Sequence, residues 1–137
     1  MMIENPSLEE LGAILKKAKR IAIVGLSNNP ERTSYQIAKA MQEAGYEIIP
    51  VNPTIDEVLG VKAVKSLKEI KDHVDIVDIF RRSEYLPDLA KEFMEIDADV
   101  FWAQQGIVNE EAYQFLKEHG RTVVMDLCIK VIHALTR

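Results

Sequence analysis

Short continuous apolar runs alternate with helical patterns along the whole chain, and this alternation leaves few folds open. Residues 21–24 read Ile-Ala-Ile-Val and stop at Gly25. A run this short and unbroken is a strand buried on both faces, as in a parallel sheet. Further strands are predicted at 46–51, 74–80, 99–103 and 121–125. Helices are predicted between them. Ser7-Leu8-Glu9-Glu10 is a capping box, and Leu8, Leu11, Ile14, Leu15 and Ala18 follow at helical spacing. Ile37, Ala38, Met41 and Ala44 form a second stripe, stopped by Gly45. Ser66-Leu67-Lys68-Glu69 is a second capping box, expected to open a short helix. Ser83 is expected to cap a helix carrying Leu86, Leu89, Ala90 and Phe93, and Asn109 to start another. Residues 129–135 read as a last turn or two of helix, and 54–65 as a loop or turn of helix with a short strand at 61–64. Strands separated by helical patterns are βαβ units. The predicted fold is therefore one doubly wound parallel-sheet α/β domain over residues 1–137, with helices on both faces.

Composition narrows the function classes. A chain of 137 residues is the size of one domain. Its 17 Lys and Arg against 22 Asp and Glu give a net charge of -5. Such a balance argues against general nucleic-acid binding, which needs a basic surplus, but not against a local phosphate pocket. The single cysteine, Cys128, excludes an internal disulfide and fits a reducing cytoplasm. No apolar run approaches the ~20 residues of a membrane span, so no membrane partner is expected. Glu4, Glu9 and Glu10 precede any apolar core, so the N-terminus does not read as a signal peptide.

In doubly wound sheets the ligand sits outside the carboxyl ends of the strands, where strand order reverses. The residues just after each strand are therefore the candidates: Gly25-Leu26-Ser27 and the loop to Ser34, Asn52-Pro53, Arg81-Arg82, Gln104-Gln105-Gly106, and Asp126-Leu127-Cys128. The first loop suits phosphate. Gly25 permits a tight turn, the amides of the next helix favour an anion, and Arg32, Thr33 and Ser34 add a charged fork and two hydroxyls. The alternative is a helix capped by Ser34 with Arg32 in solvent. Arginine after an apolar strand binds phosphate or stacks on a base. For Arg81-Arg82 the alternative is an ion pair with Glu84, Asp78 or the nearby helix. Gln104-Gln105-Gly106 is either a set of neutral donors and acceptors or a simple turn before Asn109.

Other site chemistries fit poorly. After Gly25 the dinucleotide pattern G-x-G-x-x-G fails, with Ser at 27 and Pro at 30. The position that would hold ribose hydroxyls reads Val51-Asn52-Pro53, without an acid. No glycine-lysine pair of a Walker loop follows a strand, and no G-x-S-x-G elbow is present. His73, His119 and His133 share no metal spacing with Cys128 or paired carboxylates, so no metal site is expected. His119 before Gly120 reads as a helix end.

Beyond these rules, the segments carry a resemblance. They are Val24-Gly25-Leu26-Ser27 with Pro30, Arg32 and Ser34-Tyr35; Gly45-Tyr46 with Pro50-Val51-Asn52-Pro53; and Glu57-Val58-Leu59-Gly60. They continue with Val74-Asp75-Ile76-Val77-Asp78-Ile79-Phe80-Arg81, then Trp102, Gln104, Gly106-Ile107 and Asn109-Glu110-Glu111-Ala112, then Val123-Val124-Met125-Asp126 and Cys128. The chain resembles the small bacterial and archaeal coenzyme A-binding proteins, which are similar to the N-terminal Rossmann-like domain of the succinyl-CoA synthetase α subunit. The likeness runs from about residue 7 to 133. It implies a Rossmann-like module that holds the nucleotide end of coenzyme A. Gly25, Ser27, Arg32 and Ser34 would face the phosphates, with Leu26 among the cofactor-binding residues. Asn52-Pro53 and Phe80-Arg81 would border the nucleotide, and Gln105-Gly106 would lie further along the groove. The family usually reads Met-Asp-Arg-Cys and ends in Glu-His. Here Leu127 and Ile132 replace the polar residues, and His133 is kept. The synthetase's phosphorylated histidine belongs to a second domain with no counterpart in this chain.

The expected function is binding of coenzyme A or an acyl-CoA by a non-catalytic module. The alternatives are an NAD(P)-dependent enzyme or redox sensor on the same fold, and a subunit that acts through a protein partner or a second copy of itself. Cys128 follows the last strand, on the ligand side. It reads either as core packing or as a thiol able to form a mixed disulfide with coenzyme A.

Overall fold

The computed structural model describes residues 3–137. Five parallel strands form the main sheet: β1 (Arg20–Val24), β2 (Glu47–Val51), β5 (Val74–Ile79), β6 (Ala98–Ala103) and β7 (Thr122–Val124). A two-residue pair, β3 (Glu57–Val58) and β4 (Val61–Lys62), forms a separate hairpin. The helices are α1 (Leu8–Lys17), α2 (Thr33–Glu43), α3 (Leu86–Met94), α4 (Glu110–Glu118) and α5 (Ile129–Thr136). Strand order is β2-β1-β5-β6-β7, so the chain moves outward from β1 to β2 and then returns to pass β1 on its other side. The reversal lies between β1 and β5.

The two-residue period of each strand sorts side chains between two cores. Ile21, Ile23, Ile76, Val100, Trp102 and Val124 face α1, α2 and α5, where Leu11, Leu15, Ile37, Met41 and Ile129 meet them. Ala22, Val24, Val77, Ile79, Phe101 and Val123 face α3 and α4, where Leu86, Phe93, Tyr113 and Leu116 meet them. Both faces are covered, which is why the strands read as continuous apolar runs. Trp102, Phe93 and Phe101 are fully buried, and the two phenylalanine rings meet edge to face at 5.5 Å.

The capping box of α1 forms as the sequence predicts: Ser7 Oγ accepts from the Glu10 amide at 3.1 Å, and Glu10 accepts from the Ser7 amide at 2.9 Å. Asn109 caps α4 by accepting from the Ala112 amide at 2.9 Å. In the main sheet, predicted strand ends shift by one residue at most.

Three local predictions need correction. Residues 57–62 form a hairpin rather than a loop followed by a strand at 61–64. Its turn uses Leu59 and Gly60 at φ +53° and +77°. Two successive positive φ values make a primed turn, and a leucine at the first position gives no sequence signal for one. Val64 instead bridges Val51 in parallel, donating to the Pro50 carbonyl at 2.9 Å, and so shields the β2 edge. Ser66 opens a single 3-10 turn, Leu67–Glu69. Ser83 does not cap α3. Its hydroxyl accepts from the Val108 amide at 3.0 Å and its carbonyl from Asn109 Nδ2 at 3.1 Å, so it ties the loop after β5 to the loop after β6. A 3-10 turn, Ser83–Tyr85, fills the gap, and α3 begins at Leu86.

Candidate functional site

The carboxyl ends of β2, β1 and β5 converge on Gly25. Its amide donates to the Val51 carbonyl at 2.8 Å, and the Phe80 amide donates to the Val24 carbonyl at 2.9 Å. Gly25 has φ +82°, and a Cβ there would run into the Phe80 carbonyl. Both the turn and the close approach require glycine.

An open cleft of ≈ 600 Å³ lies over this point, lined by Gly25, Ser27, Glu31, Arg32, Thr33, Ser34 and Phe80. Its floor is preorganised. Ser34 is buried, and its hydroxyl accepts from the Ser27 amide at 3.0 Å. Ser27 Oγ accepts from the Asn29 amide at 3.0 Å, and Asn29 Oδ1 from the Glu31 amide at 3.0 Å. Ser34 therefore braces the loop from within the first turn of α2 and does not cap the helix. The N-cap is Arg32, which makes no side-chain cap bond, and the first turn of α2 contains no acid. The amides at the start of this helix are thus left to the cleft. Arg32 is exposed at the rim, in no ion pair among the described residues. Glu31 is the one acid of the lining.

Arg81 lies beside Gly25, with its guanidinium 4.9 Å from the centre of the Tyr85 ring. Arg82, not Arg81, approaches Glu84, at 4.0 Å with both side chains exposed. Asn52 is committed locally: Nδ2 donates to the Leu26 carbonyl at 2.9 Å, and Oδ1 accepts from the Thr54 amide at 2.9 Å. Leu26 is fully buried in the core, so only its backbone reaches the strand end. The structure thus gathers Gly25, Ser27, Arg32, Ser34 and Phe80 around one cleft, with Arg81 beside it. Pro53, exposed, follows β2, while Gln105 and Gly106, also exposed, follow β6; none of the three lines that cleft.

The loops after β6 and β7 are cross-linked. The Gly106 amide donates to Asp126 Oδ1 at 2.6 Å, and Asp126 itself sits at φ +65°. Trp102 Nε1 donates to the Leu127 carbonyl at 2.9 Å. Cys128 is half-buried against the α5-side core and occupies the N-cap of α5 without a side-chain cap bond.

From the sequence Asp78 is read only as an alternative ion-pair partner of Arg81-Arg82, a pairing the structure does not form. It is fully buried on β5, with Gln104 Nε2 donating to its Oδ1. Oδ2 has no partner. Burial pushes its carboxyl up to about 7, against the opposing effects of the Gln104 amide and the Ile79 backbone. An aspartate inside an apolar strand was the available signal.

At the amino ends of β5 and β6, His73 gathers three carboxylates: Asp75, two residues on, and Asp97 and Asp99 at the start of the next strand. Nδ1 lies 2.9 Å from Asp97, and Nε2 lies 3.1 Å from Asp99 and 3.4 Å from Asp75. The Asp97 hydrogen bond, against some desolvation, holds the imidazole above its usual range, and Asp99 adds to this. Burial pushes Asp75 up, but the amides of Arg20 and Lys19 and then His73 outweigh it, and the carboxyl lies below its usual range. This exposed cluster clamps strand starts together and lies away from the cleft.

The family profile described as "CoA binding domain" matches residues 19–134. The uncharacterized protein YneT of Bacillus subtilis (strain 168) is 70% identical over 135 residues, which is 98% of this chain and 100% of that protein. The structure of the Thermus thermophilus protein cell-free ID.343 superposes with a TM-score of 0.92 at 36% identity, over 96% of this chain and 100% of that one. The dinucleotide forming acetyl-coenzyme A synthetase 1 of Ca. Korarchaeum cryptofilum shares the fold, with a TM-score of 0.66 at 23% identity over 77% of this chain and 25% of that one. No described helix is long and apolar enough to cross a membrane.

Proposed function

The chain belongs to the CoA-binding domain family, and from that premise we propose that it binds coenzyme A or an acyl-CoA as a non-catalytic module, with the phosphates in the Gly25–Ser34 cleft. The observation that carries this reading is the start of α2. An 11-residue helix opens into the cleft with no side-chain cap, no acid in its first turn and Arg32 at its lip. Such an end presents free amides and a positive dipole to an anion. Gly25 removes the side chain that would separate a diphosphate from the backbone, and Ser27 and Ser34 hold the loop open. Arg81, on its Tyr85 platform, lies within reach of a further phosphate or a base.

The hydroxyls of the lining, Ser27, Thr33 and Ser34, have no histidine among the lining residues to act as their base, which favours holding a ligand over nucleophilic turnover. The end of β2 supports CoA over NAD. Asn52 stands where a dinucleotide site places its acid, and both ends of its amide are already engaged. Calorimetric titration with CoA, acetyl-CoA, NAD, NADP and FMN tests the reading. Heat with CoA or acetyl-CoA and none with the others is expected. Tight NAD binding with no response to CoA refutes it.

A further inference from the structure

Asp78 sits between Ile23 of β1 and Trp102 of β6 in the sheet register, and all three residues are fully buried. It is two residues before Phe80, a cleft residue, so roughly 7 Å separates them along the strand. Its carboxyl holds one hydrogen bond from a side chain, donated by Gln104 Nε2 to Oδ1, and Oδ2 is the one buried side-chain polar atom among the described residues without a partner.

Gln104 is also buried and works in two directions. Its Oε1 accepts from the Ile129 amide, the first of α5, at 3.4 Å. Cys128, the N-cap, supplies no side-chain bond there, so Gln104 takes over part of the cap. That contact fixes the amide's orientation. With Oε1 turned to a backbone N–H, Nε2 must face Asp78, and Oδ1 must accept. A proton on Asp78 therefore resides on Oδ2. The Gln104 backbone continues the link, donating to the Ile79 carbonyl at 3.3 Å and accepting from the Ile107 amide at 3.0 Å. The Gly106 amide is in turn held by Asp126. One buried carboxyl thus stands behind the loop after β6 and the first turn of α5, both at the ligand edge of the sheet.

We propose that Asp78 is a positioning residue of the ligand groove, acting through Gln104 on the start of α5 and the loop after β6, and that it couples ligand binding to uptake of one proton. The ligand half of this rests on the CoA reading above. No charged side chain contributes to the state of Asp78; burial dominates, opposed by Gln104 and the Ile79 backbone. The titratable side chains packed against the same core are Tyr35 of α2, Tyr46 before β2 and Cys128 before α5, and His133 of α5 meets Tyr46 edge-on. The carboxylate and the neutral acid differ in their hold on Gln104, because a charge-assisted bond is roughly twice as strong as a neutral one. A polyanion at the neighbouring strand ends disfavours the carboxylate, so the ligand binds the protonated form better. By reciprocity, protonation strengthens ligand binding. The titration falls near neutrality, since the carboxyl is pushed up to about 7.

The first test needs no ligand. In 15N-resolved NMR of the free protein between pH 5.5 and 8.5, the Gln104 side-chain amide and the Ile129 amide are expected to shift with one shared midpoint near neutrality. Asp78→Asn abolishes that midpoint, His133→Gln leaves it in place, and Gln104→Leu removes the response at Ile129. Flat resonances in the wild type, or an unchanged midpoint in Asp78→Asn, overturn the proposal. The second test is CoA calorimetry across the same range. The ratio of wild-type to Asp78→Asn affinity is expected to fall by about threefold or more as pH rises, which also cancels the ionisation of the ligand's own phosphates. A constant ratio, with CoA bound, overturns the ligand coupling. A protein whose amides titrate as expected but which takes up no CoA overturns the CoA reading and the ligand half together, and leaves the Asp78–Gln104 relay standing.

Discussion

The Phe80 carbonyl occupies the space that a side chain on Gly25 would need, so β1 and β5 can end side by side only because residue 25 has no Cβ. That contact lies at the reversal of strand order and forms the floor of the cleft. Gly25→Ala brings a backbone collision and an unfavourable φ together. It is expected to lower stability by at least about 1–3 kcal/mol, the cost of a non-glycine residue held in a sparsely populated conformation. Denaturant unfolding checks this, and a wild-type midpoint would contradict it.

Arg32 is exposed and takes part in no ion pair among the described residues, so Arg32→Ala is expected to leave the unfolding midpoint unchanged. Its loss should weaken CoA binding by on the order of 1.5–3 kcal/mol, the range for hydrogen bonds to charged groups. Arg81→Ala should weaken binding similarly and also remove the contact with Tyr85. Both variants should show a shallower dependence of affinity on salt than the wild type. Titrations at two ionic strengths measure this, and unchanged affinity in both variants would remove the arginines from the site.

Asp78 gives stability a defined pH dependence. Its folded carboxyl is raised from 3.8 to about 7, so the folded state binds the proton more tightly than the unfolded state. The resulting stabilisation is complete below the unfolded value, is lost as pH rises from about 4 to about 7, and stays lost above. Relative to wild type, Asp78→Asn should gain stability across that window, by on the order of 4 kcal/mol at most. Urea unfolding at pH 4.5, 6 and 8 reads the trend. A constant difference between the two proteins would contradict it.

His73 acts with the same sign, but from an exposed cluster. Its imidazole is held above the ordinary histidine value chiefly by Asp97, so its contribution is full below that value and fades as pH rises through the raised one. His73→Gln should therefore be less stable than wild type in mildly acidic buffer and equal to it in alkaline buffer. Because the cluster is exposed, the difference is small and should shrink further in high salt. CoA affinity should not change, since the cluster lies at the amino ends of the strands, away from the cleft.

The parallel sheet was legible because its strands are buried on both faces, which leaves runs such as Ile21–Ala22–Ile23–Val24 in plain view. The caps at Ser7 and Asn109 were legible because they are local. The 57–62 hairpin was not, because Leu59 adopts a positive φ that tertiary packing imposes and no leucine advertises. Ser83 misled for a related reason. Its hydroxyl has a partner at Val108, 25 positions away, and that contact replaced the expected cap. The strand-end residues of the cleft could be named from topology alone. The Asp78–Gln104–Ile129 relay could not, because it depends on which face of β5 the aspartate occupies and on the start of α5. The His73 cluster was missed because its carboxylates are spread over two different strands and the residue before one of them.

The most direct test is a crystal structure of the chain grown with coenzyme A. The phosphates are expected at the first-turn amides of α2, with Arg32 within hydrogen-bond distance and the diphosphate against Gly25. Coenzyme A bound elsewhere on the protein, with the Gly25–Ser34 cleft unoccupied, would contradict the account.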